Sequence, residues 1–140
     1  MKNLGFNIVD TYSYDTLFEM LSKGRFDYTV RGIYEINDEI QSRKDKIDNI
    51  IIEPNLALYI PAPAYFFVSP KFPQIAKRIK FGLELMVENG MLEDIFNATY
   101  SHYIKEAQLD RRTIINIGNP LLSEKTPLER KELWLNFDVK

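Results

Sequence analysis

Apolar and polar positions recur along this chain with two periods, and the switches between them mark its elements. The opening FNIVDTY is short and β-rich, which predicts a strand over about residues 6 to 11. Ser13 stands at an N-cap position, with Asp15 placed to suit the positive end of a helix dipole. Tyr14, Leu17, Phe18 and Leu21 follow at i, i+3, i+4 and i+7, the stripe of an amphipathic helix, and Gly24 ends it. In FDYTV, Phe26, Tyr28 and Val30 alternate with Asp27 and Thr29. The expectation is a second strand, and with it a strand–helix–strand unit of a parallel sheet.

A second helix is expected over residues 33 to 44, with Ile33, Ile36 and Ile40 on one face. Its other side, from Glu39 to Asp48, is charged and reads as solvated surface. NIII, LALYI and AYFFV are three further strand candidates. They are punctuated by Pro54, Pro61, Pro63 and Pro70, a density that favours edge positions or a crossing between parts. Pro73 then sits near the start of a helix striped by Ile75, Ile79, Leu83, Met86 and Val87, and Asn89-Gly90 breaks it. Another helix carries Leu92, Ile95, Phe96, Tyr100, Tyr103, Ile104 and Ala107 on nearly one face. A short strand at Thr113 to Ile117 and an extended, proline-marked tail complete the pattern.

Composition narrows the function classes. The 140 residues suit one ordinary domain, with 45% hydrophobic and 27% charged residues as in a globular protein. The net charge of −2 is spread without a basic stripe, so nucleic acid is not an expected partner. With no cysteine there is no disulfide, thiolate nucleophile or cysteine-held metal. No apolar run approaches a membrane span, and MKNLGFNIVD lacks the apolar core of a signal peptide. The chain as written is therefore expected in the cytoplasm.

Candidate chemistry gathers around the first strand–helix–strand pattern. Arg31 would lie at the C-terminal end of a parallel strand, where open α/β sheets bind ligands, and Gly32 lets the chain turn sharply there. A guanidinium so placed clamps a carboxylate through two parallel hydrogen bonds, or pairs structurally with Glu35 or Asp27. Thr11, Ser13 and the N–H groups of residues 14 to 16 form a helix N-terminus suited to an anion, although N-capping by Ser13 alone explains the same residues. Tyr59, Tyr65 and Phe66 offer faces for stacking, or core. His102, the one histidine, has no second histidine and no serine–carboxylate partner in its pattern. No residue set supplies a nucleophile with its base, so no catalytic residue, metal or cofactor is expected and the chain is read as a non-enzyme. Trp134 is expected to anchor the tail by packing.

Taken in order, these features resemble a known family. L-x-x-G-R-x-D leading into a strand, here Leu21 to Asp27, is similar to the second lobe of bacterial extracytoplasmic solute-binding proteins of the polar-amino-acid type. YFFVSPKFPQIAKRIKFGLELMVENGMLEDIF resembles their return segment, a strand crossing the hinge followed by a helix–Gly–helix pair. The tail NPLL…TPLERKELW and the R-G-x-x-E of Arg31, Gly32 and Glu35 resemble a subset of transporter-type substrate-binding proteins.

The resemblance implies an α/β fold of the periplasmic-binding-protein-like type 2 kind, present in part. Residues 1–62 would form part of the second lobe, 63–110 the hinge crossing and first-lobe helix pair, and 111–140 an extended tail. Relatives of this kind are longer, so the chain reads as a C-terminal portion lacking a signal peptide and most of the first lobe. The implied function is binding of a small polar or anionic solute, such as an amino-acid-like compound, by an ABC-transporter-type protein. In the parent family the location is periplasmic and the partner is a membrane transporter or sensor. Amino-acid binders place an aspartate where this chain has Gly32, so the usual ammonium contact is missing. The ligand residues implied are Arg31, Glu35, Ser13, Thr11 and Tyr65. The alternative is a non-binding remnant that acts through oligomerisation or partner contact, because apolar faces without their cover drive association, and a homo-oligomer is expected.

Overall fold

The structure, a computed structural model, describes residues 5–11 and 13–135. They fall into two compact units that divide between Asn55 and Leu56. The first holds α1 (Tyr14–Ser22) and α2 (Ile36–Gln41); the second holds β1 (Leu56–Tyr59), α3 (Pro73–Glu88), α4 (Met91–Ala107) and β2 (Thr113–Asn116).

Helix α1 forms where its stripe predicts. Ser13 is extended, at φ −140° and ψ 136°, and its hydroxyl accepts from the Asp15 N–H at 3.2 Å, an N-cap bond. At the other end Gly24 takes φ +66°. Its N–H donates to Leu21 and that of Arg25 to Met20, the paired bonds of a Schellman cap. Phe18 faces inward from this helix and is the only fully buried apolar side chain among the described residues.

The expected strands at 6–11 and 26–30 form no ladder, so the strand–helix–strand unit is absent among the described residues; Tyr12, at the end of FNIVDTY, lies outside them. The reason is physical. A β-rich composition expresses a preference for a half-buried pleated surface, and Ile8, Val9, Tyr28 and Val30 instead stand exposed. Parallel strands need cover on both faces, which the first unit does not offer.

Helix α2 is shorter than the expected 33–44. It begins through turn bonds from Glu35 and Ile36 to the Gly32 carbonyl, at 3.0 and 3.1 Å. It stops because side chains take a carbonyl at its end: Ser42 Oγ and Arg43 Nη1 both donate to the Glu39 carbonyl at 3.0 Å.

In the second unit β1 and β2 pair in parallel, Leu56 opposite Thr113 through Tyr59 opposite Asn116, and the α3–α4 hairpin connects them. Of the strand candidates between residues 49 and 68, only LALY enters this sheet; NIII and AYFFV do not, and Ile51 and Phe67 are exposed. Pro73 occupies the first turn of α3. The hairpin turns at Gly90, whose φ of +78° suits glycine, and the Asn89 side chain accepts from the Met91 N–H at 3.0 Å. Arg112 joins the end of α4 to the sheet. Its Nε donates to the Ala107 carbonyl at 2.7 Å and its Nη1 to that of Leu56 at 3.1 Å.

The tail, expected to be extended, instead runs through a series of turns into a short 3-10 helix at Lys131–Leu133, because local bonds such as Thr126 N–H to the Ser123 carbonyl at 2.9 Å close the backbone on itself; residues 136–140 lie outside the described residues. It is tied down at several points. The Asn119 amide donates to Pro61, Tyr65 and Thr126 share a hydroxyl contact at 3.2 Å, and Trp134 Nε1 donates to Pro127 at 2.9 Å. Arg130 meets both oxygens of Glu84 on α3, at 3.0 and 2.9 Å. Among the described residues no helix is long and apolar enough to cross a membrane.

Candidate functional site

The first unit concentrates its charged chemistry between α1 and α2. Two hydroxyls lie at the start of α1. Thr11 donates to the Ser13 carbonyl at 3.0 Å and contacts the Thr16 hydroxyl at 2.7 Å, while Thr16 also donates to Ser13 at 2.8 Å. These bonds occupy the Thr11 and Thr16 hydroxyls in organising the turn, while the Ser13 hydroxyl caps α1 by accepting from the Asp15 N–H.

Arg31 sits just ahead of the Gly32 turn. Its Nη2 lies 3.2 Å from Glu35, whose other engagement is the Gly32 N–H at 3.1 Å. That bond reaches back three residues, as in a capping box, and stabilises the turn that starts α2. An added Cβ at Gly32 would stand 2.9 Å from Tyr34 Cε1 and 3.1 Å from Glu35 Oε2, so the glycine lets both side chains close in.

The principal partner of Arg31 is Glu39. Nε donates to Oε2 at 2.9 Å and to Oε1 at 3.2 Å, and Nη2 donates to Oε1 at 2.5 Å. Tyr14 donates its hydroxyl to the same Oε1. Aromatic faces close the cluster. The Arg31 guanidinium lies 5.3 Å from the Tyr14 ring centre, and that of Arg43 lies 5.1 Å from Tyr14 and 4.5 Å from Phe18. Asp15 stands 4.0 Å from Arg43.

Electrostatics follow from this geometry. The Arg31 hydrogen bonds hold the Glu39 carboxyl below the usual carboxylate range, against burial, which acts in the opposite sense; Tyr14 and the charges of Arg31 and Arg43 reinforce the lowering. The same pair raises the Arg31 guanidinium, with the Glu39 hydrogen bond as the largest cause. Tyr14 is also raised, first by its hydrogen bond to Glu39, because ionising the phenol would set two anions together.

Sequence reasoning put Glu39 on a solvated side of its helix, and the structure overturns that: Glu39 is buried. Burial of a carboxylate is tolerated because a bidentate guanidinium and a phenol satisfy it. The signal was available in the i, i+4 spacing of Glu35 and Glu39, which aims both carboxylates at one partner. Of the structural pairings weighed from the sequence, Arg31 takes Glu35 and not Asp27, and its principal partner, Glu39, was not among them. Tyr14 and Arg43, unassigned to any site from the sequence, complete the cluster.

Tyr65 belongs to the second unit, where it is 58% exposed. It lines an open groove of about 340 Å³ with Ala62, Pro63, Asn119, Leu121 and Ser123, among others. No charged side chain lines that groove, so its chemistry suits a neutral apolar or hydroxylated group. Tyr59, at the end of β1, is raised by burial. His102 lies on α4 with its ring 3.7 Å from that of Tyr103. Among the described residues no cluster of three or more His, Asp or Glu side chains is disposed to hold a metal ion.

Set against family models, curated proteins and solved structures, the chain matches none.

Proposed function

We propose that this chain is the C-terminal part of an extracytoplasmic solute-binding protein of the ABC-transporter type, and that it takes a small polar or anionic solute at Arg31. The observation that carries the reading is the order of four patterns over nearly the whole sequence. They are G-R-x-D at Gly24 to Asp27, R-G-x-x-E at Arg31 to Glu35, a helix–Gly–helix return, and T-P-L…E-L-W at Thr126 to Trp134. The α3–Gly90–α4 hairpin supports the third of these. The Arg31 cluster supports an anionic group, since its bidentate geometry and aromatic walls are those by which guanidinium recognises carboxylate. In such a protein the solute is delivered to a membrane transporter or reported to a sensor, from the periplasm.

A thermal-shift screen of amino acids and dicarboxylates tests this reading on the wild-type chain and Glu39→Gln in parallel. A stabiliser whose effect Arg31→Ala abolishes supports it. A flat screen with both proteins contradicts it.

A second reading has its own observation. Phe66, Phe67, Phe81, Ile95 and Leu121 stand exposed, while Phe18 is the only fully buried apolar side chain among the described residues. Apolar surface on that scale favours association, so the chain would act through self-assembly or contact with a partner.

A further inference from the structure

We infer that Glu39 is a built-in occupant of the Arg31 anion site: its carboxylate fills the guanidinium fork that a carboxylate solute would take, and solute binds there by exchange with Glu39. This rests on the reading of the chain as a solute-binding module and adds a self-inhibitory contact to it.

The contact has the features of a bound carboxylate ligand. Both Glu39 oxygens face the Nε and Nη2 edge of Arg31, and Tyr14 supplies a neutral donor to one of them. Glu39 is buried, and the Tyr14 ring whose hydroxyl it accepts from is faced by both Arg31 and Arg43. Take the Glu39 carboxylate away and two guanidiniums and a phenol remain, with Glu35 beside Arg31 and Asp15 at the edge of Arg43. Arg31 then keeps only one carboxylate near it, that of Glu35.

The backbone permits the exchange. Ser42 Oγ and Arg43 Nη1 hold the Glu39 carbonyl, and Glu35 holds the Gly32 N–H. The turn and the end of α2 are thus fastened by bonds that do not involve the Glu39 carboxylate. On the proposed exchange, the Glu39 side chain leaves Arg31 while these bonds keep the end of α2 in place. Solutes favoured by this chemistry are short mono- or dicarboxylates, and the competing internal carboxylate lowers the apparent affinity, so the site fills only when one is abundant.

Calorimetric titration of the intact chain tests the exchange, with acetate and glutarate as probes. Wild type, Glu39→Gln, Glu39→Ala and Glu39→Ala/Arg31→Met are compared. Removing the competitor is expected to tighten glutarate binding roughly tenfold in Glu39→Gln. Glu39→Ala is expected to bind acetate saturably at roughly millimolar concentrations, and the double variant to lose that binding. Equal glutarate affinity in wild type and Glu39→Gln, with binding still dependent on Arg31, overturns the exchange and leaves the solute-binding reading standing. No saturable binding of either probe to Glu39→Gln also overturns it, and because that substitution is isosteric the result is independent of whether Glu39→Ala folds.

Discussion

Arg31 grips Glu39 side-on, with Nε 2.9 Å from Oε2 and Nη2 2.5 Å from Oε1, across eight residues that include the Gly32 turn. The side chains are 23% and 10% exposed, so solvent screens this pair less than a surface ion pair. Arg31→Met is expected to lower the stability of the first unit by about 2–3 kcal/mol, because it leaves a buried carboxylate without its main donor. Glu39→Gln should cost less, about 1–2 kcal/mol, since the amide keeps the shape and part of the hydrogen bonding. Amide hydrogen exchange in α1 and α2 measures both.

The same cluster sets a pH dependence. Glu39 is lowered in the folded chain, so its contribution is fully present above the unfolded glutamate value of about 4.3 and is lost as pH falls through the lower folded value. Tyr14 is raised, so its contribution is present below about 10 and is lost as pH climbs through the higher folded value. Protection of α1 amides should therefore be level between these limits and fall at both ends. Glu39→Gln should flatten the acid step and Tyr14→Phe the alkaline one.

Gly32 is expected to tolerate alanine better than aspartate. The Cβ of Gly32→Ala meets Tyr34 and Glu35, and Tyr34 is exposed enough to move, which limits the cost to about 1 kcal/mol. Gly32→Asp adds a carboxylate beside Glu35 and competes for Arg31. Its α2 amides should exchange faster than those of the alanine variant.

The tail offers a test confined to the second unit. Arg130 pairs with Glu84 and Glu132, and both carboxyls are lowered, with the Arg130 hydrogen bond as the largest cause. These groups are half-exposed and solvent screens them, so the effect is small. Glu84→Gln should raise exchange at Leu133 and Trp134 about two- to fivefold, leaving α1 and α2 unchanged.

Much of this architecture was legible in the sequence where a local rule governs it. Ser13 and Gly24 bound α1 by capping chemistry that depends on a few neighbouring residues, and Asn89-Gly90 turns the α3–α4 hairpin in the same way. The strands at 6–11 and 26–30 were misread because a strand depends on partners elsewhere, and alternation in FDYTV reports only a tendency. The candidate site was half legible. Arg31 and Glu35 lie in one short pattern. The i, i+4 spacing of Glu35 and Glu39 points to a shared partner, whereas the burial of Glu39 also depends on Tyr14 arriving from another helix.

Exposed apolar side chains on α3, α4 and the 65–67 segment should bring copies of the chain together. Sedimentation equilibrium at roughly tens of micromolar is expected to give a dimer or larger species. A monomer throughout would remove the self-assembly form of the second reading.

The most direct test of the central claim follows the Arg31 Nε–H signal by NMR in the intact chain while glutarate, acetate and amino acids are added. The account predicts a saturable shift of that signal with at least one carboxylate, at lower concentration in Glu39→Gln than in wild type. An Arg31 signal that stays fixed in both proteins through every titration would contradict it.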